Sequence, residues 1–223
     1  MNIINIEMSF DNNRVRYVGP ALYSVLKRLD PNYAINLYLI TSKVSDKDLT
    51  NIYRLKEHFK DKLLNIYHED FDDYKLRTKY PIITYVKTKD ITAITLARLY
   101  TFDIFLDVDY MLHLDEDILC LASIHELWEE RFKGALIVEP GIDVILNNPN
   151  SILNADILLK NNSFKYSNIG IHVLDLNYYR QNNILDKCID ILKEDPNLPL
   201  MDESLFNCVF SKLNSIYRLP NNQ

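Results

Sequence analysis

Glycine is scarce in this sequence, with 4 in 223 residues, and the 3 cysteines form no Cys-x-x-Cys pair. The low glycine count argues against a nucleotidyltransferase with a glycine-rich phosphate loop. An odd number of widely spaced cysteines predicts buried thiols rather than disulfides. No apolar run reaches the ~18 residues of a membrane-spanning helix, and the first residues lack the features of a signal peptide. We therefore expect a cytoplasmic protein without a transmembrane segment.

Basic residues are fewer than acidic ones, with 25 Lys and Arg against 31 Asp and Glu, so the formal net charge is −6. No basic stripe is present, which argues against a nucleic-acid partner. A negatively charged ligand would need local help from a metal ion or from backbone N–H groups. Apolar residues make up 48% of the chain, enough for a full core. We expect one domain over residues 1–223.

Short apolar strands alternate with amphipathic helices along the chain. Strands are predicted at 3–8, 35–40, 63–69, 110–114, 135–139, 167–176 and 215–220. Helices are predicted at 17–29, 45–59, 92–105, 123–130, 176–194 and 202–213. This alternation predicts an α/β fold with a mostly parallel central sheet.

Two capping pairs mark the starts of predicted helices, and two longer segments separate the predicted elements. Ser45 with Asp48, and Ser123 with Glu126, have the spacing of capping boxes at helix starts. The charged segment 70–90 is predicted to be a loop. The Asn-rich segment 140–166 is predicted to be an excursion over one face of the domain.

Two Asp-x-Asp pairs flank the predicted strand "YMLHL". Asp107 and Asp109 precede it, whereas Asp115 and Asp117 follow it. Ligands of open α/β sheets bind beyond the carboxyl ends of strands, so the second pair is the functional candidate and the first is predicted to be a solvated loop. In an extended chain, Glu116 would point away from its two neighbours. Two such carboxylates can hold Mg²⁺ or Mn²⁺ beside a phosphate, although a bare pair can equally be two loop acids.

The sequence around this pair resembles glycosyltransferase family 8, which includes lipopolysaccharide galactosyl- and glucosyltransferases and glycogenin-like proteins. The stretches "ARL", "LDEDIL" and "LW" match the family's helix, its Leu-Asp-x-Asp-x-Leu strand end and its Leu-Trp helix. "DNNRVRYVGPALYSVL", "YSNIGIHVLDL" and "MDESLFN" match three further motifs. The motifs occur in the family's order and cover nearly the whole chain.

The resemblance implies a GT-A type, Rossmann-like three-layer domain and a retaining transfer reaction. A hexosyl group, glucose or galactose, would move from UDP-hexose to a hydroxyl of a glycan, glycolipid or protein acceptor. Asp115 and Asp117 would bind Mn²⁺, or Mg²⁺ in its place, and the metal would neutralise the diphosphate leaving group. Glu116 joins the substrate-binding candidates.

The resemblance also implies roles for the N-terminal motif. Asp11 and Asn13 match positions that contact the uridine. Arg14 is a further substrate-binding candidate, but it departs from the family, which usually has an aromatic residue stacking on uracil there. An arginine plane can also stack on a base, so the base selectivity stays open.

Four residues match the family's sugar-binding positions. Arg98 matches a basic residue near the donor sugar, Asn168 and Gly170 match the segment that lines the sugar pocket, and Asp202 matches a carboxylate that binds sugar hydroxyls. Each has an ordinary alternative: Arg98 could pair with a surface acid, Asn168 could satisfy a turn, and Asp202 could cap a helix.

Glu203 stands where the family has glutamine. With Arg98 and Asp202, it completes the catalytic candidates. A carboxylate at this position could attack the anomeric carbon or stabilise positive charge on the sugar. It could also be an acid favoured at a helix start.

Relatives continue to a His-x-x-Gly-x-x-Lys-Pro-Trp segment, whereas the printed sequence stops at "RLPNNQ". The metal is therefore expected to be held by Asp115, Asp117, diphosphate and water, with weak nucleotide affinity. His113 and His172 are predicted to be core histidines within strands.

Two other classes stay open. One is a glycosyltransferase-like protein that binds carbohydrate or nucleotide without catalysis. The other is a haloacid dehalogenase-type phosphohydrolase, which also places Asp-x-Asp after a strand. Its motif wants Thr or Val where this chain has Leu119, and it usually lies near the N-terminus.

Overall fold

The computed structural model describes residues 1–71, 78, 93–138, 166–196, 198 and 201–220. The predicted loop at 70–90 and the excursion at 140–166 lie outside the described residues, apart from residues 70, 71, 78 and 166. The described strands are β1 (Asn2–Asp11), β2 (Tyr33–Ser42), β3 (Leu63–Asp70), β4 (Tyr110–Leu114), β5 (Leu136–Val138), β6 (Ile171–Asp175) and β7 (Ile216–Arg218).

The α-helices in the described ranges are α1 (Val15–Arg28), α2 (Asp46–His58), α3 (Ala93–Ala97), α4 (Thr101–Ile104), α5 (His125–Glu129), α6 (Leu176–Gln181), α7 (Ile184–Glu194) and α8 (Met201–Lys212). Short 3₁₀ turns follow α3, at Arg98–Tyr100, and α5, at Glu130–Phe132.

The strands form one sheet in the order β3-β2-β1-β4-β6-β5-β7. Strand β6 pairs antiparallel with both β4 and β5, whereas the other described pairings are parallel. The predicted α/β fold with a mostly parallel sheet is therefore confirmed.

Two apolar clusters cover the two faces of the sheet. Helices α1 and α2 pack on one face with the even-numbered residues of β1 from Ile4 to Phe10. Helices α6, α7 and α8 pack on the other face with Met111 and Leu136. Burial on both faces explains why the strands are rich in Ile, Leu and Val, and the result is the three-layer arrangement expected from the resemblance.

One predicted helix cap is confirmed and the other is wrong. The Ser45 hydroxyl accepts a hydrogen bond from the Asp48 backbone N–H at the start of α2. At α5, by contrast, Ile124 occupies the cap position and no side chain caps the helix. The Ser123 hydroxyl instead accepts from the Asp30 backbone N–H at 3.1 Å and lies 2.8 Å from Nδ1 of His125.

Two long predicted helices are interrupted. The helix predicted at 176–194 is two helices, because Asn183 adopts a left-handed conformation with φ 49° between α6 and α7. Asparagine is among the residues that tolerate this conformation best. The helix predicted at 92–105 is broken by the 3₁₀ turn that contains Arg98.

The sheet topology brings several loops to one edge. Strands β1 and β4 are parallel neighbours, so their carboxyl ends at Asp11 and Leu114 lie at the same edge. Strand β6 runs the opposite way and begins there, immediately after Gly170. Within the described ranges, no helix is long and apolar enough to cross a bilayer.

Candidate functional site

A polar pocket of about 300 Å³ opens at this edge of the sheet. Its lining combines the ends of β1 and β4, the start of α1, and the α3 region. The lining residues are Ser9, Phe10, Asp11, Asn13, Arg14, Ile94, Thr95, Arg98, Asp115, Glu116 and Asp117. Seven of the predicted site residues therefore line one pocket.

The chain turns immediately after β4. All three residues from Asp115 to Asp117 consequently face the same pocket. The expectation that Glu116 points away is wrong, because it assumed an extended chain. Asp107 and Asp109 are exposed at the opposite, amino end of β4, as expected of a solvated loop.

Asp115 is the best-anchored carboxylate of the pocket. Its Oδ1 atom lies 3.1 Å from Nε2 of His113 and accepts a hydrogen bond from Nη2 of Arg98 at 3.2 Å. Burial raises the pKa of Asp115, but the His113 hydrogen bond and the Arg98 charge outweigh it and lower the pKa to about 2. Asp115 is therefore ionised at neutral pH.

Arg98 joins Asp115 to Asp202. Its Nε atom lies 3.1 Å from Oδ2 of Asp202, and its side chain is 11% exposed. Burial raises the pKa of Asp202, whereas the Arg98 charge opposes this shift. Arg98 thus pairs with two acids at the site rather than with a surface acid. Since α8 begins at Met201, Asp202 lies in its first turn and does not cap it.

Glu203 reaches back to the segment before β6. Its Oε2 atom accepts hydrogen bonds from Nδ2 of Asn168 at 2.9 Å and from the backbone N–H of Ile169 at 3.2 Å. The side-chain oxygen Oδ1 of Asn168 accepts a hydrogen bond from the Gly170 backbone N–H at 2.8 Å, so Asn168 also satisfies a turn. Asn168, Gly170, Asp202 and Glu203 are therefore brought close to Asp115.

Gly170 packs directly against Asp115. Its carbonyl accepts a hydrogen bond from the Asp115 N–H at 2.7 Å. A Cβ atom at Gly170 would lie only 2.6 Å from Oδ2 of Asp115, well inside van der Waals contact. A side chain at this position would therefore force the Asp115 carboxylate to move.

We therefore predict that Gly170→Ala displaces the Asp115 carboxylate. Binding of UDP with Mn²⁺ should weaken by at least about 10-fold, because losing a group that orients a metal ligand typically costs ~10–100-fold in metal affinity. Overpacking should also cost about 1–3 kcal/mol of stability. Calorimetric titration and thermal unfolding measure the two effects.

Gly19→Ala is the matched control. A Cβ atom at Gly19, within α1, meets nothing within 4 Å, and alanine is favoured over glycine in a helix. This variant should bind like the wild type and be at least as stable. Equal affinity of Gly170→Ala and Gly19→Ala would contradict the account of Gly170.

Asp11, Asn13 and Arg14 lie together at the start of α1. Oδ1 of Asp11 accepts hydrogen bonds from the backbone N–H groups of Asn13 and Arg14 at 2.9 and 3.2 Å. The guanidinium of Arg14 lies beside two acids of the pocket lining: Nε is 3.5 Å from Oε1 of Glu116, and Nη1 is 3.4 Å from Oδ2 of Asp117. Arg14 thus contacts the acidic turn in this structure.

Sequence reasoning missed one residue behind the site. Glu7, buried in β1, places Oε2 2.5 Å from Nδ1 of His113. His113 and His172 are buried and stack with ring centroids 4.9 Å apart, and Nδ1 of His172 lies 2.7 Å from the Ile169 carbonyl oxygen. Both are core histidines as predicted, but His113 also touches the pocket carboxylate.

The pocket offers oxygen donors suited to a hard divalent cation. Asp115 is ionised, with Oδ1 bonded to His113 and Arg98, and Asp117 is exposed. Among the described residues, no three His, Cys, Asp or Glu side chains are grouped to hold a metal by themselves. Asp115 and Asp117 both line the pocket and could hold such a cation.

The sheet order and the helical layers on both faces of the described domain are those of a GT-A type glycosyltransferase fold, to which solved structures are similar. The profile of Glycosyl transferase family 8 matches residues 5–221, and the chain belongs to this family. This confirms the resemblance read from the sequence motifs.

Curated relatives and solved structures agree with this assignment. The chain is 23% identical to a Haemophilus influenzae protein named "Putative glycosyltransferase", across 92% of this chain and 58% of that protein. It is 24% identical to General stress protein A of Bacillus subtilis, across 93% of this chain and 69% of that protein. The chain thus spans little more than half of the first of these relatives.

The fold is similar to that of the galactosyltransferase LgtC, solved with donor and acceptor sugar analogues. The TM-score is 0.78 at 18% identity, over 96% of this chain and 73% of that one. An LgtC variant that carries glutamate in place of an active-site glutamine gives a TM-score of 0.76 at 20% identity, over 96% and 72%.

Proposed function

We propose that the protein is a retaining glycosyltransferase that moves a hexosyl group from UDP-hexose to an acceptor hydroxyl, with Mn²⁺ or Mg²⁺ at Asp115 and Asp117. The observation that carries this proposal is the Arg98 bridge, which links the first aspartate of the Asp-x-Asp pair to Asp202. This bridge supports the proposal because it brings Asp115, expected at the diphosphate, next to Asp202, expected at the sugar. The LgtC complex with sugar analogues supports the same class of ligand.

The nucleotide end of the donor fits the start of α1. Asn13 and Arg14 are exposed at the pocket lining, where an amide and a planar guanidinium can contact the uridine. Asp11 holds this turn through two backbone N–H groups. A bound cation would compete with Arg14 for Asp117, and release of Arg14 would free its plane for the base.

The reacting end of the donor fits the Arg98 side of the pocket. The metal, when bound, supplies Lewis-acid stabilisation of the departing diphosphate. Arg98 pairs with Asp202 and so holds it next to Asp115, where a carboxylate could accept hydrogen bonds from sugar hydroxyls. Asn168 and Gly170 belong to the segment that contacts Asp115, and Glu203 holds this segment through hydrogen bonds from Asn168 and Ile169.

The proposal is tested with a panel of nucleotide sugars in the presence of Mn²⁺ or Mg²⁺. We expect UDP release from UDP-glucose or UDP-galactose, and loss of that release when EDTA removes the metal. UDP binding without release, from any sugar and with varied acceptors, would instead support a non-catalytic nucleotide-binding protein. Inorganic phosphate release from phosphomonoesters would support the phosphohydrolase class.

Glu203 is predicted to position rather than to attack. The hydrogen bonds from Asn168 and from the Ile169 N–H both end on one oxygen, Oε2, and a glutamine oxygen can accept both. Tyr166 is a further hydrogen-bond partner of Glu203. Glu203→Gln, which restores the family's residue, should therefore keep much of the UDP release rate. Glu203→Ala leaves two donors without this partner, which costs about 1–3 kcal/mol, and should lose roughly 10-fold or more.

Initial rates of UDP release for both variants decide this prediction. Mass spectrometry of the quenched wild type gives a second readout. A glycosylated peptide carrying Glu203, together with an inactive Glu203→Gln variant, would establish covalent attack by Glu203 instead.

A further inference from the structure

A buried hydrogen-bonded chain leads from the middle of the sheet to the pocket. It starts at Glu7, on the β1 face opposite to α1 and α2, and passes through His113 on the neighbouring strand β4. Register pairs these two residues directly across the parallel strands. Glu7 is 1% exposed and His113 is 2% exposed, so both are shielded from water.

The chain ends on one oxygen of Asp115. Nδ1 of His113 lies 2.5 Å from Oε2 of Glu7, and Nε2 lies 3.1 Å from Oδ1 of Asp115. Because an ionised Asp115 accepts only, Nε2 must carry a proton and donate to it. The proton at Nδ1 then belongs either to the ring or to a protonated Glu7, and either arrangement keeps the chain intact.

Two donors from different elements therefore converge on Oδ1. His113 approaches from the sheet, and Arg98 approaches from the 3₁₀ turn after α3. Oδ2 makes neither of these bonds and is the oxygen that Gly170 approaches without a side chain. The carboxylate is thus held through Oδ1, whereas Oδ2 takes part in neither bond, on a residue that lines the pocket.

Burying Glu7 and His113 would be unfavourable if these residues served only to fill the core. A buried carboxylate and imidazole lose their hydration, and apolar residues of similar volume in their place are often neutral or stabilising. In addition, Oε1 of Glu7 has no hydrogen-bond partner among the described residues. Because His113 contacts Asp115 in the pocket, the burial of this pair is better explained by the orientation that it imposes on the Asp115 carboxylate.

We propose that Glu7 and His113 are a positioning pair that holds Asp115 by Oδ1 and so presents Oδ2 to the metal of the bound nucleotide. The metal part of this inference rests on the proposed function. Histidine–carboxylate partners behind metal ligands commonly fix the ligand orientation, and their loss typically costs ~10–100-fold in metal affinity.

The test replaces the pair with apolar residues, so that folding is preserved. In Glu7→Leu/His113→Phe no charge remains at these two buried positions, and the ring stack on His172 can persist. We expect an unfolding temperature close to that of the wild type, a displaced Asp115 carboxylate in the crystal structure, and about 10- to 100-fold weaker binding of Mn²⁺ with UDP by calorimetry.

A conservative variant separates positioning from packing. Glu7→Leu/His113→Gln restores an N–H donor near Nε2 of the original ring, and it should recover part of the lost affinity. The control is His68→Phe, which removes another strand histidine whose Nε2 lies 2.7 Å from the Thr41 hydroxyl on the neighbouring strand. It should bind Mn²⁺ with UDP as tightly as the wild type.

The outcomes distinguish this inference from the proposed function. Wild-type affinity in Glu7→Leu/His113→Phe, or an unmoved Asp115 carboxylate in its crystal structure, would overturn the positioning role. A wild type that binds no Mn²⁺ with UDP would overturn the proposed function and the metal part of the inference. The Asp115 orientation in the two crystal structures would still decide whether the pair positions this residue.

Discussion

Asp115→Asn is expected to abolish Mn²⁺-dependent UDP binding. The substitution keeps the size of the side chain but removes the charge that His113 and Arg98 stabilise and that a cation requires. Loss of a supporting partner alone typically costs ~10–100-fold in metal affinity, and loss of a direct ligand should cost at least as much. Asp117→Asn should act in the same way. Calorimetric titration with UDP and Mn²⁺ measures both.

Asp107→Asn is the matched control because it alters the other Asp-x-Asp pair. Asp107 is exposed before β4 and lies outside the pocket lining. This variant should bind like the wild type. Loss of binding in Asp107→Asn with intact binding in Asp115→Asn would reverse the assignment of the two pairs.

Arg98→Met is expected to reduce both stability and binding. It leaves Asp115 and Asp202 close together without the cation between them, and the Asp202 side chain is only 7% exposed. Breaking a buried ion pair by removing one partner typically costs about 3–5 kcal/mol. Chemical denaturation should show a loss of this size, and binding of UDP with Mn²⁺ should fall with it.

A second substitution separates the two effects of Arg98. Arg98→Met/Asp202→Asn removes one of the repelling charges, so it should recover part of the stability without restoring transfer activity. Arg54→Met is a suitable control, because Arg54 is exposed on α2 and, among the described residues, donates only to the Asn51 side chain one turn earlier. Its stability should change by less than about 0.5 kcal/mol. A fully stable Arg98→Met variant would contradict the bridge.

The position of the acidic pair was predictable because it depends on local rules. An apolar strand followed by acids, in a chain that alternates strands and helices, places those acids at the carboxyl edge of the sheet. The roles of Arg98, Asn168 and Asp202 came only from the family resemblance. Their spacing along the chain carries no sign that they meet.

Features that depend on tertiary pairing were not predictable. In β1, Asn5, Glu7 and Ser9 alternate with apolar residues, a pattern that usually indicates one solvent-facing side. Glu7 and Ser9 are nevertheless buried. A charged residue within an apolar strand signals a buried partner, but identifying His113 required knowing that β1 and β4 are neighbours.

Local backbone geometry also overrode the sequence pattern. The apolar spacing from Leu176 to Glu194 fits one helix, yet Asn183 divides it. The turn that brings Glu116 into the pocket depends on how the chain leaves β4, which strand periodicity does not specify.

The most direct test of the account is a crystal of the protein grown with UDP and Mn²⁺, with data collected at the manganese absorption edge. We predict an anomalous peak beside the carboxylates of Asp115 and Asp117, in contact with a diphosphate in the pocket that Asp11 and Arg98 line. A peak elsewhere, such as beside Asp107 and Asp109, or UDP bound outside this pocket, would contradict the central claim.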